Sequence, residues 1–417
     1  MSLFAMFKSA GPTGFGYGST AEQVTEGLSL AGQTILVTGC NSGIGQEACR
    51  VLALRGALVL GTARTKEKAA AACATFPGKA IGYSCELSDP SSVRGCVAAV
   101  KADGHRLDAI ICNAGIMMLP KLEKSHGYEL QFFTNYIGHF MLVTGLLEQL
   151  KDEGRVVMLS SEGHRSAPVG AIEFDNLSGD KRYKPLTAYG QSKIADLLFA
   201  KELERRFAGT KKTAYAVHPG VVDTNLARNM GPVLSRVLGA IGRLFLKSVG
   251  EGAATEVFAA VSPKAVSLAG NYLADSNVMK PRSPGYAPFP SSREHLLRWI
   301  REYSCQHAGP GKSGPGSRTF SDSPQPPQAR WCNFRRSQQK CAPGSRVPTD
   351  APRFPGRRQR LPPRAARADS FYRDAIAAPE DRRNRRPPDL PREAFPESPR
   401  PGRPGGPSLV QGRTTLD

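Results

Sequence analysis

The chain has 417 residues, with 56 Lys+Arg against 36 Asp+Glu and a formal net charge of +20. That length admits two or three domains, yet the sequence offers no run of about 20 apolar residues to span a bilayer as a helix. Nine cysteines, with no CxxC pair and no metal-like spacing to histidine, suit a reducing compartment and argue against a metal site.

The N-terminal segment, residues 1–28, begins MSLFAMFKSAGPTGFGYGST and has no sustained apolar run of signal-peptide type. An intracellular, cytoplasmic protein is therefore expected. From about Gln33 to Ala274, short apolar runs alternate with helical stretches. The runs are TILVT (34–38), ALVLGTA (57–63), AIGYSC (80–85), DAIICNAG (108–115), RVVMLSS (155–161), TAYAVHPG (213–220) and GNYLA (270–274). Most are continuously apolar, as expected of strands covered on both faces. Helices are predicted between them, for example over Gly45–Arg55, Pro90–Lys101 and Gly127–Leu150. This alternation predicts an α/β fold, a doubly wound parallel sheet of Rossmann-like type, in one domain over residues 29–303. Cys40, Cys49, Cys85, Cys96 and Cys112 fall inside predicted core elements, where a reduced cysteine acts as a small apolar residue.

Residues 304–417 differ in kind. They hold 22 Lys+Arg, 10 Asp+Glu and 20 of the 33 prolines, with few aliphatic residues. Such sequence cannot bury enough apolar surface to offset its ordering entropy, and a disordered Arg/Pro-rich tail is predicted. Sparse aromatics and interspersed acids argue against nucleic acid as its partner.

Ligands of doubly wound sheets bind beyond the carboxyl ends of the strands, so motifs there carry the functional information. TILVT runs into GCNSGIG, and Gly39, Gly43 and Gly45 precede or open a helix. Glycines there allow a tight turn and close approach to a pyrophosphate at the helix N-terminus. About 20 residues on, where an acid would favour NAD, stands Arg64, followed by Lys66 and Lys68. A guanidinium can grip a 2′-phosphate bidentately, which favours NADP(H); the bland alternative is that Arg64 starts a solvated helix.

In TAYGQSK, Tyr189 and Lys193 stand four apart, one helical turn, and no other of the 11 tyrosines has a lysine at that spacing. With TGCNSGIG, NAG (113–115), the Ser160–Ser161 pair and HPGVVDT, the set resembles the short-chain dehydrogenase/reductase family over roughly residues 20–300. STAEQVTEG, ELQFFTNYIGHF, SSEGHR and KSVGEGAAT are most similar to its retinol-dehydrogenase-like branch. That branch includes chloroplast inner-envelope import-associated and WW-domain oxidoreductases. The resemblance implies Tyr189 as general acid/base, Lys193 as its activator, Ser161 as substrate-orienting serine and Asn135 as anchor of a proton relay. It implies cofactor contacts from Gly39, Asn41, Ser42, Gly43, Ile44, Gly45, Arg64, Asn113, Ala114, Gly115, Tyr189, Lys193, Pro219, Gly220, Val222 and Thr224. Two positions depart from the family pattern: CNAG replaces NNAG, and Glu86–Leu87 replaces the Asp–Leu pair near the adenine.

A free phenol, with a pKa of roughly 10, holds its proton at neutral pH, and a nearby cation favours the phenolate. That chemistry suits an NADP(H)-dependent oxidoreductase interconverting an alcohol and its aldehyde or ketone. The alternative is a non-catalytic NADP(H)-responsive redox sensor or scaffold. His139, His164 and His218 have no ligand spacing, so no metal is expected and packed or hydrogen-bonded roles are. In the family that this chain resembles, the segment corresponding to MGPVLSRVLGAIGRLFLKSV (230–249) covers the substrate pocket, which implies an apolar lid suited to a hydrophobic substrate, with Arg236, Arg243 and Lys247 interspersed. A helix packed on its own domain is the favoured reading of this basic amphipathic stretch, with peripheral contact to an anionic membrane as the alternative. The sequence is compatible with a homo-oligomer but fixes no oligomeric state.

Overall fold

The apolar runs become strands, each ending where its apolar character stops. A computed structural model describes residues 9–222 and 246–281. The chain divides into two units, Met1–Lys340 and Cys341–Asp417, and every described residue lies in the first. The predicted tail (304–417), the domain end at 303 and most of the predicted lid lie outside the described residues.

Strands β1 (Thr34–Thr38), β2 (Leu58–Ala63), β3 (Ala80–Ser84) and β4 (Leu107–Cys112) alternate with helices α2 (Gly43–Leu54), α3 (Lys66–Cys73) and α4 (Pro90–Ala102), after a short α1 (Ala21–Val24). A two-stranded ribbon, β5 (Lys124–Ser125) and β6 (Tyr128–Glu129), follows. Then come α5 (Leu130–Phe132), a π-helical turn (Phe133–Ile137) and α6 (Gly138–Leu146). The chain continues through β7 (Leu150–Leu159), α7 (Pro185–Phe207), β8 (Thr213–His218), α8 (Val249–Val261), β9 (Tyr272–Ala274) and β10 (Asn277–Val278). The sheet order is β10-β9-β8-β7-β4-β1-β2-β3, parallel except for the β9–β10 pair. The order reverses between β1 and β4, which opens a crevice at their carboxyl ends.

Alternate strand residues face opposite layers. Leu36, Leu60, Ile110 and Val156 pack with Val93 of α4, Leu142 of α6 and Ile194 of α7. Ile35, Val37, Val59, Ile111 and Val157 pack with Leu52 of α2, Ala69 of α3 and Val257 of α8. Both faces are covered, which explains the continuously apolar runs. The six described cysteines are free and buried. The described part of the N-terminal segment packs on the same core: Ala21 and Val24 are buried, and Phe15 meets Phe258 edge-on at 5.8 Å.

One predicted element needs correction. The helix expected over Gly127–Leu150 starts later and stops earlier, because His126 and Gly127 take positive φ (50° and 84°) in the β5–β6 turn and Leu150 already begins β7.

Glu256 on α8 is fully buried, and neither carboxyl oxygen has a hydrogen-bond partner among the described residues. Burial pushes its pKa from an ordinary 4.5 up to about 8. The folded state therefore holds a proton that the unfolded state releases, so stability is fully present below 4.5 and is lost as pH rises through about 8. Glu256→Met should raise the unfolding free energy, with an advantage that grows by roughly 1–3 kcal/mol between about pH 5.5 and 8.5 in denaturant titrations.

Candidate active site

The glycine turn after β1 is a close-approach structure. Gly39 and Gly43 have positive φ of 75° and 58°, and a Cβ on Gly45 would stand 2.2 Å from Asn113 Nδ2 and 2.5 Å from the Gly39 carbonyl. Ser42 sits at the N-cap of α2 without a side-chain cap bond, so the helix N-terminus faces the crevice without a cap from that residue. A cavity of about 290 Å³ occupies the crevice. Gly39, Asn41, Ser42, Gly43, Ile44, Arg64, Glu86, Leu87, Asn113, Ala114 and Gly115 line it, which gathers most of the predicted cofactor residues. Lys68 joins them, whereas Lys66 turns away to the Gly82 carbonyl at 2.5 Å. Arg64, largely exposed, approaches Glu86 at 3.6 Å.

Thr38 organises the floor of the crevice. Its Oγ1 accepts the backbone N–H groups of Asn113 and Ala114, both at 3.0 Å, and its carbonyl accepts Asn113 Nδ2 at 2.8 Å. His139 Nδ1 lies 2.7 Å from the Asn135 carbonyl, which can only accept, so Nδ1 carries the proton. Nε2 is then an acceptor for the Thr38 hydroxyl at 2.8 Å. Burial holds His139 neutral, pushing its pKa down to about 4. The histidine is hydrogen-bonded and structural, and no cluster fit for a metal occurs among the described residues.

Asn135 lies in the π-helical turn, a local irregularity that often marks functional sites. Its side chain accepts from Ile116 N at 2.8 Å and donates to the Ile116 carbonyl and to Ser192 Oγ, each at 2.9 Å. Ser192 in turn donates to the Tyr189 carbonyl at 2.8 Å. A continuous hydrogen-bonded chain thus runs from the end of β1 to α7.

Helix α7 starts with Pro185 in its first turn, where the missing N–H costs nothing. Tyr189 and Lys193 are both buried, and Nζ stands 5.8 Å from the Tyr189 ring centroid. Nζ donates to the Leu159 carbonyl at 2.7 Å and to Asp196 Oδ2 at 3.0 Å. Burial opposes the Lys193 charge, but Asp196 and then Tyr189 outweigh it and hold the ammonium above the ordinary lysine range. Burial pushes the Asp196 carboxyl up to about 7 in spite of that cation. The lysine keeps its proton, and the carboxyl is the member of the pair that titrates near neutrality.

Ser161 begins the 3-10 turn Glu162–Ser166 and accepts Gly163 N at 3.0 Å. A Cβ on Gly163 would lie 2.5 Å from Tyr189 Cε1 and 3.4 Å from Ser161 Oγ, so the hydroxyl and the ring flank one point. Ser160 points the other way, donating to the Lys193 carbonyl at 2.7 Å. Val222 and Ile44 converge on Gly252, where a Cβ would meet them at 2.7 and 3.3 Å. Pro219 and Gly220 precede Val222 outside the cavity lining, and Thr224 lies outside the described residues. Lys247, near the end of the predicted lid, is buried, bonded to Asp275 at 2.6 Å and stacked 4.7 Å from the Tyr17 ring centroid, while residues 230–245 of that segment lie outside the described residues.

Thr38, Ser192, Asp196 and Lys247 were invisible as site-building residues because their roles depend on partners distant in sequence or on burial. Removing the Thr38 hydroxyl should strand two backbone donors. Thr38→Val, which preserves shape, should lower the unfolding free energy by about 2–4 kcal/mol in denaturant titrations.

The profile of the short chain dehydrogenase family matches residues 33–233. Retinol dehydrogenase 12 of Mus musculus is 39% identical over 265 residues, covering 61% of this chain and 81% of that protein. The chloroplastic short-chain dehydrogenase TIC 32 A of Brassica napus is 38% identical over 296 residues, 67% of this chain and 92% of that protein. A crystal structure of an uncharacterized protein from Mycobacterium paratuberculosis shares 32% identity with a TM-score of 0.53, covering 68% of this chain and 97% of its own. Relatives matched at this identity along most of their length make this chain a member of the short-chain dehydrogenase family of oxidoreductases.

Proposed function

We propose that the chain is an NADP(H)-dependent oxidoreductase that interconverts a hydrophobic alcohol with its aldehyde or ketone, through a domain spanning residues 29–303. The observation that carries the reading is the buried Lys193 ammonium, 5.8 Å from the centre of the Tyr189 ring, beside the crevice at the switch point. A phenol next to a fixed cation is primed for proton exchange.

The crevice fits a dinucleotide. The glycine turn has no room for a Cβ at Gly45, and the uncapped N-terminus of α2 favours a pyrophosphate. Arg64 and Lys68 on the cavity wall suit a 2′-phosphate, which would compete with Glu86 for the guanidinium. Asn113, Ala114 and Gly115 would line the nicotinamide half. When bound, the cofactor supplies or accepts the hydride.

The remaining steps belong to the chain. In reduction, the Tyr189 hydroxyl passes its proton to the substrate oxygen; in oxidation, the phenolate removes the alcohol proton. Ser161 Oγ donates to the same oxygen and aligns it as charge develops. Lys193 stabilises the phenolate and Asn135 holds Ile116 and Ser192 in place around it. A hydrophobic substrate is supported by the retinol dehydrogenase among the relatives. No helix among the described residues is long and apolar enough to cross a membrane.

Assays with a panel of aldehydes, ketones and alcohols test this reading. Tyr189→Phe should abolish turnover while NADPH binding, followed by fluorescence, stays within about twofold. Normal turnover in that variant would remove Tyr189 from the mechanism. Arg64→Ala should weaken NADPH binding roughly tenfold and leave NADH nearly unchanged; equal changes for both would reduce Arg64 to a surface residue.

A further inference from the structure

Lys193 has three N–H donors. The Leu159 carbonyl and Asp196 Oδ2 take two, at 2.7 and 3.0 Å. Nζ also lies beside the crevice wall, 3.8 Å from where a Cβ of Gly115 would stand. Both side chains of the ion pair are buried, with 5% and 2% exposure. A lone ammonium at such depth gives up its proton, since burial can lower a lysine by about 3–5 pH units. Asp196 itself gains little where it is: aspartate is a poor mid-helix residue, and its Oδ1 has no hydrogen-bond partner among the described residues. What it does is act on Lys193.

We infer that Asp196 is a positioning residue: its carboxylate keeps the Lys193 ammonium charged and fixed against the end of β7, and so sets the field that Tyr189 feels. This rests on the acid/base reading of Tyr189 given above.

The surrounding groups leave Asp196 as the countercharge. Cys112 of β4 and Tyr136 of the π-helical turn face the pair, and burial first, then Asp196, holds both well above their ordinary values. His139 of α6 is neutral, held down chiefly by burial. On the turn after β7, Glu162 and Arg165 pair with each other at 2.7 Å, and burial lowers His164. His218 at the end of β8 is pushed down to about 4, first by burial and then by Lys247. Glu129, beside α5, accepts Phe132 N at 2.7 Å.

Asp196→Asn preserves size and an acceptor while removing the charge. In full-length protein labelled with ¹⁵N-lysine, the Lys193 Nζ signal can be assigned by its loss in Lys193→Met. It should deprotonate below about pH 9 in Asp196→Asn and remain an ammonium there in the parent. In alcohol oxidation with NADP+, the rising limb of kcat/KM should move up by at least one pH unit. That is about a tenfold loss at pH 7, recovered at high pH. Equal Nζ titration in both proteins overturns the inference, and so does a loss of activity independent of pH. If Asp196→Asn does not fold, the parent supplies the test: Nζ should show a coupled step as Asp196 protonates near pH 7, and its absence overturns the inference. A parent that oxidises no alcohol sinks the acid/base reading, while the Nζ titration still decides the role of Asp196.

Discussion

A lysine ammonium at 4% exposure persists only if its hydrogen bonds and countercharge are built in around it. Lys193 has both, from the carbonyl that ends β7 and from a carboxylate one turn along its own helix. That constraint ties α7 to the sheet: moving the helix lengthwise breaks the Leu159 bond and strands a charge in the core. The register of α7 against β7 is therefore fixed at the residue that faces Tyr189, and the geometry of the phenol follows from it.

The opposite wall is fixed by neutral groups. Thr38, His139, Asn135 and Ser192 hand one hydrogen bond to the next across four separate elements. Each member has its donors and acceptors matched, which suits a low-dielectric interior where an unmatched group is costly. The topology makes the chain of bonds feasible. Because β4 crosses to the far side of β1, the NAG segment leaves its strand directly beside the glycine turn, and one threonine can hold both. The crevice is then a consequence of strand order, with the glycines permitting the approach that the order imposes.

The parts legible in the sequence were those whose physics is local. TILVT and ALVLGTA read as buried strands because both faces are covered, and the glycine turn and Arg64 stood out by their spacing after the strands; the Tyr189–Lys193 spacing marked a lead whose role came from the family resemblance. The π-helical turn escaped because its sequence, FTNYI, is compatible with an ordinary helix and carries no local mark of the wider turn. The burial of Lys247 was not legible for a related reason. A basic residue after a run of apolar ones looks amphipathic, and nothing in the neighbouring sequence announces Asp275 or Tyr17. Asp196 escaped because an acid three positions after a lysine is the ordinary pattern of an exposed helix face; its burial gives it another meaning.

Two buried carboxyls show how context decides what an acid does. Glu256 has no cation and no hydrogen-bond partner among the described residues, so burial alone sets its pKa at about 8 and it is mostly protonated at neutral pH, packing as a neutral polar group. Asp196 is as deeply buried, and burial raises its carboxyl to about 7 although the attraction of Lys193 works the other way, so it titrates near neutrality. Burial of a carboxyl far from any cation stores no usable charge. Burial beside Lys193 couples two groups so closely that the charge of one favours the charge of the other, and this pair adjoins the ring and the glycine wall of the crevice.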